Sequence, residues 1–343
     1  TRSRIAAFDT ATGALVASFA PNVGYQVYAI AATATTVYVG GNFQGVGTSA
    51  RSYLAAFRAS DGALLDWAPR AAGGFVRALS LSPDGTKVAI GGHFTSLNGS
   101  SNPGYGLAMV DAVTGASLPM NANSLVRNAG NNSAIMSFHS DGQFLYGTGY
   151  TYSAGGVLEG TFKATWTDGT LEWLQDCHGD EYSVTTVGDA VYVVGHPHYC
   201  GNVGGFPQTN PWSFKRALAF SKARTGTITK EPYGYFNFEG IPSPSPLPWY
   251  PEIEAGTYTG QTQGPWSIAS NSQYVVIGGE FPSVNGVAQQ GLVRFAVAAI
   301  APNKQVPRLF LAGWPLKLNS FAPGTVQVNW SANWDRDNEQ LTY

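Results

Sequence analysis

Short runs in which apolar and polar residues alternate recur along most of the chain: "VYAIAAT", "VRALSLS", "SAIMSFH", "YSVTTVG" and "WSIASN". Alternation at period two puts successive side chains on opposite faces of a strand, and runs this short, bounded by Gly, Pro, Asn and Ser, predict β-strands. Each run is followed by a second one that ends in glycine. The clear copies are "VYVGGNFQGVG" (37 to 47), "VAIGGHFTSLNG" (88 to 99) and "VVIGGEFPSVNG" (275 to 286); "FLYGTGYTYSAGG" (144 to 156) and "VYVVGHPHYCGNVGG" (191 to 205) are looser. A further pair of runs completes the unit, as in "YLAAFRASDGALLDWAP" (53 to 69), "GLAMVDAVTGASLPM" (106 to 120), "GTFKATWTDGTLEWL" (160 to 174) and "RALAFSKARTGTIT" (216 to 229).

The sequence therefore predicts four short strands in a repeat of about fifty residues. "SDG" and "TG" between the third and fourth strands are tight-turn signals, because Gly reaches positive φ without steric cost while Asp and Thr bond the local backbone. A unit of this size cannot cover both faces of its own sheet, and radial stacking covers them while leaving only short edges. The expectation is an all-β fold, a β-propeller of four-stranded blades, with five to six in this chain and six or seven in the intact protein. The Gly pairs would sit near the axis, where backbones crowd. The aromatic after each pair (Phe43, Phe94, Tyr150, Phe281) would pack between blades. Trp67, Trp173 and Trp249 share one slot, "DWAP", "EWLQ" and "PWYP", which predicts blade-to-blade packing.

This order of strands, with Gly-Gly closing the second and Trp or Phe in the fourth, resembles the kelch blade. It is more similar still to the repeats of secreted bacterial surface propellers, in which "GGxF…NG…R…LAxFDxxTGxLxxxxP" recurs and PKD, fibronectin-type or laminin-G-like modules follow. The resemblance spans residues 3 to 300. It implies a propeller fold and a secreted or cell-surface location, and no defined activity.

The repeat is interrupted in three places. "SRIAAFDTATGALVASFAP" (3 to 21) reads as third and fourth strands with no first or second before them, which predicts a chain that starts inside a blade of a longer protein. "KEPYGYFNFEGIPSPSPLPWYPEIEAGTYTGQTQG" (230 to 264) is too rich in Pro for a central strand and reads as an insertion that decorates one face. The tail from 305 departs from the repeat, and "GTVQVNWSANWDRDNEQLTY" resembles the first strands of a fibronectin-type or PKD sandwich. The expected division is a propeller over 1 to 303 and, over 304 to 343, a linker with the start of a β-sandwich. Within the tail, "DRDNE" (335 to 339) carries oxygen ligands suited to Ca²⁺, but a solvated loop is the favoured reading.

Composition narrows the function classes. Only 12% of the residues are charged, against 42 Gly, 20 Pro and 13% aromatics, the profile of a turn-rich secreted β protein. A net charge of -2 with no basic run disfavours nucleic acid and anionic membrane as partners. There is no run of about 18 apolar residues, so no membrane insertion is expected, and any signal peptide or anchor is expected to lie outside this chain. Glycans and cell-surface proteins remain as partners.

Candidate chemistry concentrates in "DCHGDEYSVTTVGDAVYVVGHPHYCGN" (176 to 202), which holds both cysteines and three of the five histidines. In a chain of secreted composition, Cys177 and Cys200 are expected to form a disulfide across one strand pair. That link would bring His178 and Asp180 towards His196 and His198, a set able to bind a divalent metal, although sequence fixes no third ligand beyond His-x-His. His196 also occupies the slot that holds Asn42, His93 and Glu280 in other copies, where a plain polar side chain suffices. General acid or base work would draw on His178, Asp180, Glu181, Tyr182, His196, His198 and Tyr199. No Gly-x-Ser-x-Gly, His-Glu-x-x-His or phosphate-cradling loop is present, and no cofactor is expected. Trp212, Tyr233, Tyr235, Phe236 and Tyr250 fall in loops, where flat rings can stack on sugars; Trp249 is discounted as packing. The leading expectation is a secreted or cell-surface binding or adhesion propeller that recognises a glycan or protein through its loops and the 230 to 264 insertion. The alternatives are a secreted polysaccharide lyase or hydrolase using His178, His196 and His198, and a structural spacer in a modular surface protein.

Overall fold

The computed structural model describes residues 2 to 297, 299 to 301, 307, 309 and 311 to 333. The alternating runs are strands, and they assemble into five antiparallel sheets in chain order. Their strands are Val27–Ala32, Thr36–Gly41 and Leu54–Arg58 in the first; Val76–Leu81, Lys87–Gly92, Leu107–Asp111 and Ser117–Leu118 in the second; Ser133–Ser140, Phe144–Thr151, Gly160–Thr165 and Leu171–Gln175 in the third. The fourth holds Glu181–Val187, Ala190–Gly195, Ala217–Ser221 and Pro246–Leu247, and the fifth Pro265–Ser270, Tyr274–Gly279 and Leu292–Ala296. The outer edge of the first sheet is reduced to a single bridge, Phe57 to Leu64.

The first strand of each sheet packs against the first strand of the next, and the second strand also touches that neighbour, at all four junctions. Later strands lie progressively farther out, so the sheets fan from a common hub and the chain has the β-propeller arrangement. Period two explains the stacking. On the second strands, Tyr38 and Val39, Ala89 and Ile90, Leu145 and Tyr146, and Val193 and Val194 alternate between the clusters on either side of their sheet. One apolar cluster fills each junction between adjacent sheets. A further one packs Ile5, Phe19 and Val23 of the amino-terminal segment onto the first sheet.

All five first strands carry a bulge at the same place, after Val27, Val76, Ile135, Glu181 and Pro265. The bulge explains the second glycine of each pair. A Cβ on Gly41, Gly92, Gly195 or Gly279 would run into the carbonyl oxygen of Gln26, Phe75, Asp180 or Gly264. The first glycine makes room for the next sheet instead: a Cβ on Gly40 would meet the Val76 side chain, and one on Gly91 would meet Ile135 and Phe138.

Trp67, Trp173 and Trp249 are buried against Tyr38, Tyr146 and Tyr192 of their own second strands. Trp67 and Trp173 donate Nε1–H to the carbonyls of Asp111 and Lys222 in the following sheet, both at 3.0 Å. The turn signals hold as well. Asp9 and Asp111 each accept from the backbone N–H and hydroxyl of the Thr three residues on, and Gly13, Gly62, Gly115 and Gly169 have φ between 68° and 72°.

Three expectations are corrected. Phe43, Phe94 and Phe281 are buried as expected, but Tyr150 follows Gly149 directly and so takes the polar slot of His93, whose ring it meets at 5.9 Å. The outer strand of the fourth sheet is Pro246–Leu247, whereas Gly226–Thr227 pairs separately with Pro242–Ser243. The 230 to 264 stretch therefore returns to the sheet midway, as an edge strand that tolerates proline. Towards the carboxyl end, Lys317–Ala322 and Thr325–Asn329 form a hairpin with every residue exposed. The expected boundary at 303/304 and the 335 to 339 carboxylates lie outside the described residues. No helix among the described residues is long and apolar enough to cross a membrane.

Candidate functional site

A cleft of about 930 Å³ opens where the third and fourth sheets meet the insertion. Thr151 ends the second strand of the third sheet and Glu159 precedes its third strand. Asp180 precedes the first strand of the fourth sheet, while His196, His198, Trp212, Phe214 and Arg216 line the loop joining its second and third strands. The insertion supplies Tyr233, Tyr235 and Phe236.

The disulfide between Cys177 and Cys200 is present and fully buried. It joins the segment before the first strand of the fourth sheet to the loop beyond its second strand, and the His198 N–H donates to the His178 carbonyl alongside, at 2.8 Å. His178 lies behind the cleft wall. Its ring is fully buried, with Nε2 2.8 Å from Glu231 Oε2 and 3.6 Å from Asp176 Oδ2, and it stacks on Tyr235 at 4.0 Å. Glu231 belongs to the insertion, so this contact and the stack on Tyr235 anchor the loop that carries Tyr233, Tyr235 and Phe236. Tyr199 is also buried, 4.8 Å from the His178 ring, and does not line the cleft.

Two carboxyl groups face the cavity. Glu159 accepts the Gly179 N–H at 2.7 Å, and burial, reinforced by the neighbouring Asp180, pushes its pKa up to about 8. Burial likewise raises Asp180 to about 7. Gly179 is required between them, since its φ is 119° and a Cβ there would meet the His196 carbonyl. The two imidazoles shift the other way. His196, whose Nδ1 lies 2.9 Å from the Tyr182 hydroxyl, is lowered to about 4 by burial, then by His198 and Arg216. His198 is lowered to about 4 by burial and the nearby His178, against a hydrogen bond to the Gln208 side chain, and its ring lies flat on Trp212 at 3.9 Å.

Rings form the walls. Trp212 is 50% exposed, and Tyr233 and Phe236 are each 47% exposed. Arg216 closes one side; its Nε donates to the Gln263 carbonyl at 3.2 Å, its Nη1 to that of Ile253 at 3.4 Å, and its guanidinium lies 5.6 Å from the Phe214 ring.

Of the residues expected to bind ligand, Trp212, Tyr233, Tyr235 and Phe236 gather here. Tyr250 does not: it lines a separate hollow with Lys215 and Glu252 and packs on Phe206. The expected metal set is divided. His178 is tied to Glu231, and among the described residues no group of three or more His, Cys, Asp or Glu side chains is arranged to hold a metal ion. Glu181 and Tyr182 are buried at the sheet junction, with Glu181 accepting from Gln175 at 2.6 Å and from Thr161.

Sequence reasoning missed Glu159, Phe214 and Arg216. The repeat marks none of these three, but it does set apart the acidic positions that the sequence named. Asp180 and Glu181 occupy the places of Gln26 and Val27, Phe75 and Val76, Ala134 and Ile135, and Gly264 and Pro265, so one blade has carboxyls where the others are apolar or neutral.

No protein-family model matches the chain, and no curated protein does. Solved structures to which it is similar include hydrazine synthase of Kuenenia stuttgartiensis, at 12% identity over 80% of this chain and 66% of that one, with a TM-score of 0.44. BamB from Moraxella catarrhalis is similar at 13% identity over 85% of this chain and 89% of that one, with a TM-score of 0.35. The tricorn protease is similar at 10% identity over 74% of this chain, which spans only 23% of the tricorn chain, with a TM-score of 0.37.

Proposed function

We propose that the protein is an extracellular β-propeller binding module that holds a glycan in the cleft between the third and fourth sheets and the insertion. The observation that carries this reading is the set of half-exposed rings, Trp212, Phe214, Tyr233 and Phe236, around one concave cavity that also presents carboxyl, imidazole and guanidinium groups. Sugar rings have apolar faces and polar edges, and a wall of flat aromatics with a few polar groups between them meets both needs. The cavity of about 930 Å³ is of the size that takes small ligands. The buried disulfide is compatible with an extracellular setting.

The test is affinity electrophoresis and calorimetry against a panel of soluble polysaccharides and oligosaccharides. Trp212→Ala should weaken binding by about thirtyfold, the effect of losing a central aromatic anchor. Tyr258→Ala, at a ring 96% exposed and outside the cleft, should change nothing. A panel in which no glycan binds, or a Trp212→Ala protein that binds as well as the parent, would sink the proposal.

Catalysis is the second reading, and what favours it is the pair Glu159 and Asp180, whose raised pKa values suit proton donation near neutral pH. The same incubations, read for new reducing ends or unsaturated sugars, separate the two, because a binding module releases neither.

A further inference from the structure

Resting on the glycan-binding proposal, we infer that the sugar chain taken by the cleft is acidic, with a uronate carboxylate received by Arg216. Arg216 is the one Lys or Arg among the residues lining the cavity. Among the described residues no carboxylate stands within ion-pair distance of it; its protein partners are the carbonyls of Gln263 and Ile253. A guanidinium presents N–H donors in a planar fork, and the two bonds to carbonyls fix that fork without neutralising it. Half-buried between Phe214 and the insertion, the cation lacks both full hydration and a counter-charge, so an anionic group on the ligand is the missing partner.

The chemistry around Arg216 selects a carboxylate over a more highly charged ester. A single fork matches the two oxygens of a carboxylate, whereas sulfated chains call for several cations that this cavity does not present. Glu159 and Asp180 would repel an anion if ionised, but burial lifts both pKa values, so near pH 6 they stand as hydrogen-bond donors rather than competing charges. His198, 3% exposed and paired with the Gln208 side chain, lies flat against Trp212 and so braces the ring that would carry the sugar.

The experiment is calorimetric titration of the full chain at about pH 6 with oligosaccharides of galacturonate, guluronate and hyaluronan, each beside its carboxyl-reduced neutral counterpart, and with dextran sulfate. At least one uronate oligomer should bind about tenfold or more tighter than its reduced counterpart. Arg216→Gln should abolish that difference, weakening the acidic oligomer at least tenfold more than its neutral counterpart. If Arg216→Gln lowers the melting temperature, Arg216→Lys keeps the charge and removes the fork, and should cut the preference severalfold. Equal binding of acidic and reduced oligomers would overturn the inference and leave the glycan-binding proposal standing, and so would a preference for dextran sulfate alone. Failure of every oligosaccharide, acidic or neutral, would overturn both.

Discussion

Glu181 shows what a repeat position costs when its chemistry changes. In the other sheets the residue before the bulge is Val27, Val76, Ile135 or Pro265, and here a carboxyl takes the same fully buried place, accepting from Gln175 and Thr161. Burial raises its pKa from 4.5 to about 8. The sign follows: between those values the unfolded chain has released the proton and the native protein has not, so stability falls as pH rises from about 5 to about 8. Asp176, also raised by burial, adds in the same direction. Glu181→Gln keeps the shape and stays neutral, so its melting temperature should exceed that of the parent at about pH 8, with the gap closing towards about pH 5. A gap independent of pH would show that Glu181 is ionised in the native state. At this scale the sequence exposed part of the site. Trp212, Tyr233, Tyr235 and Phe236 could be found because loop aromatics in a chain with few charges stand out, and the cysteine pair because two cysteines in a chain of this composition lead to the expectation of one bond. His178 was misplaced because its partner, Glu231, lies far along the chain in the insertion, and no local pattern reports such a contact.

Among the elements, the glycine pairs are the clearest case of a sequence signal whose cause only the packing reveals. The first glycine of each pair gives space to the next sheet, and that demand is not equal around the fan. A Cβ on Gly40 would strike Val76, and one on Gly91 would strike Ile135 and Phe138, but one on Gly278 would meet nothing nearer than 4.0 Å. Gly40→Ala and Gly91→Ala should therefore each cost about 1 to 3 kcal/mol of overpacking. Gly278→Ala should be neutral, or gain a few tenths of a kcal/mol by restricting the unfolded chain. Urea midpoints of the three variants check this, and a Gly278→Ala loss as large as the others would show that the glycines answer to backbone conformation instead. The first three strands of each sheet were legible because alternation and turn chemistry are local. The outer strand of the fourth sheet was not, since Pro246–Leu247 pairs with Ala217–Ser221 across a long excursion, and the nearer hairpin at 226 was the stronger local signal. Tyr150 reads as the slot aromatic because Thr148 separates Gly147 from Gly149 in the sequence, and only the pairing of Ile135 with Gly149 shows that Gly149 stands where Gly41 does and Tyr150 where Asn42 does.

Among the described residues the extensive packing of each sheet is with its neighbours, so a local lesion should stay local, and the Cys177–Cys200 bond is the place to test that. The bond closes a loop across the first two strands of the fourth sheet, and restricting the unfolded chain over that length stabilises by roughly 3 kcal/mol. Its further effect is positional. His178 follows Cys177 directly and holds Glu231, Glu231 accepts from the Tyr233 N–H, and Tyr233 and Tyr235 wall the cleft. Releasing the bond with Cys177→Ser and Cys200→Ser should therefore speed amide exchange over residues 177 to 206 and again over 230 to 241, segments apart in sequence and joined through His178. The sheet at 27 to 58 should keep its protection, because its apolar junction with the second sheet contains no residue of either segment, whereas Phe238, Val203 and Ile241 reach the junction of the second and third sheets. Ligand affinity should fall with the loosened insertion even under conditions where the protein stays folded. Faster exchange spread evenly over all five sheets would mean that the fan opens as one cooperative unit and that the disulfide braces the hub rather than the cleft.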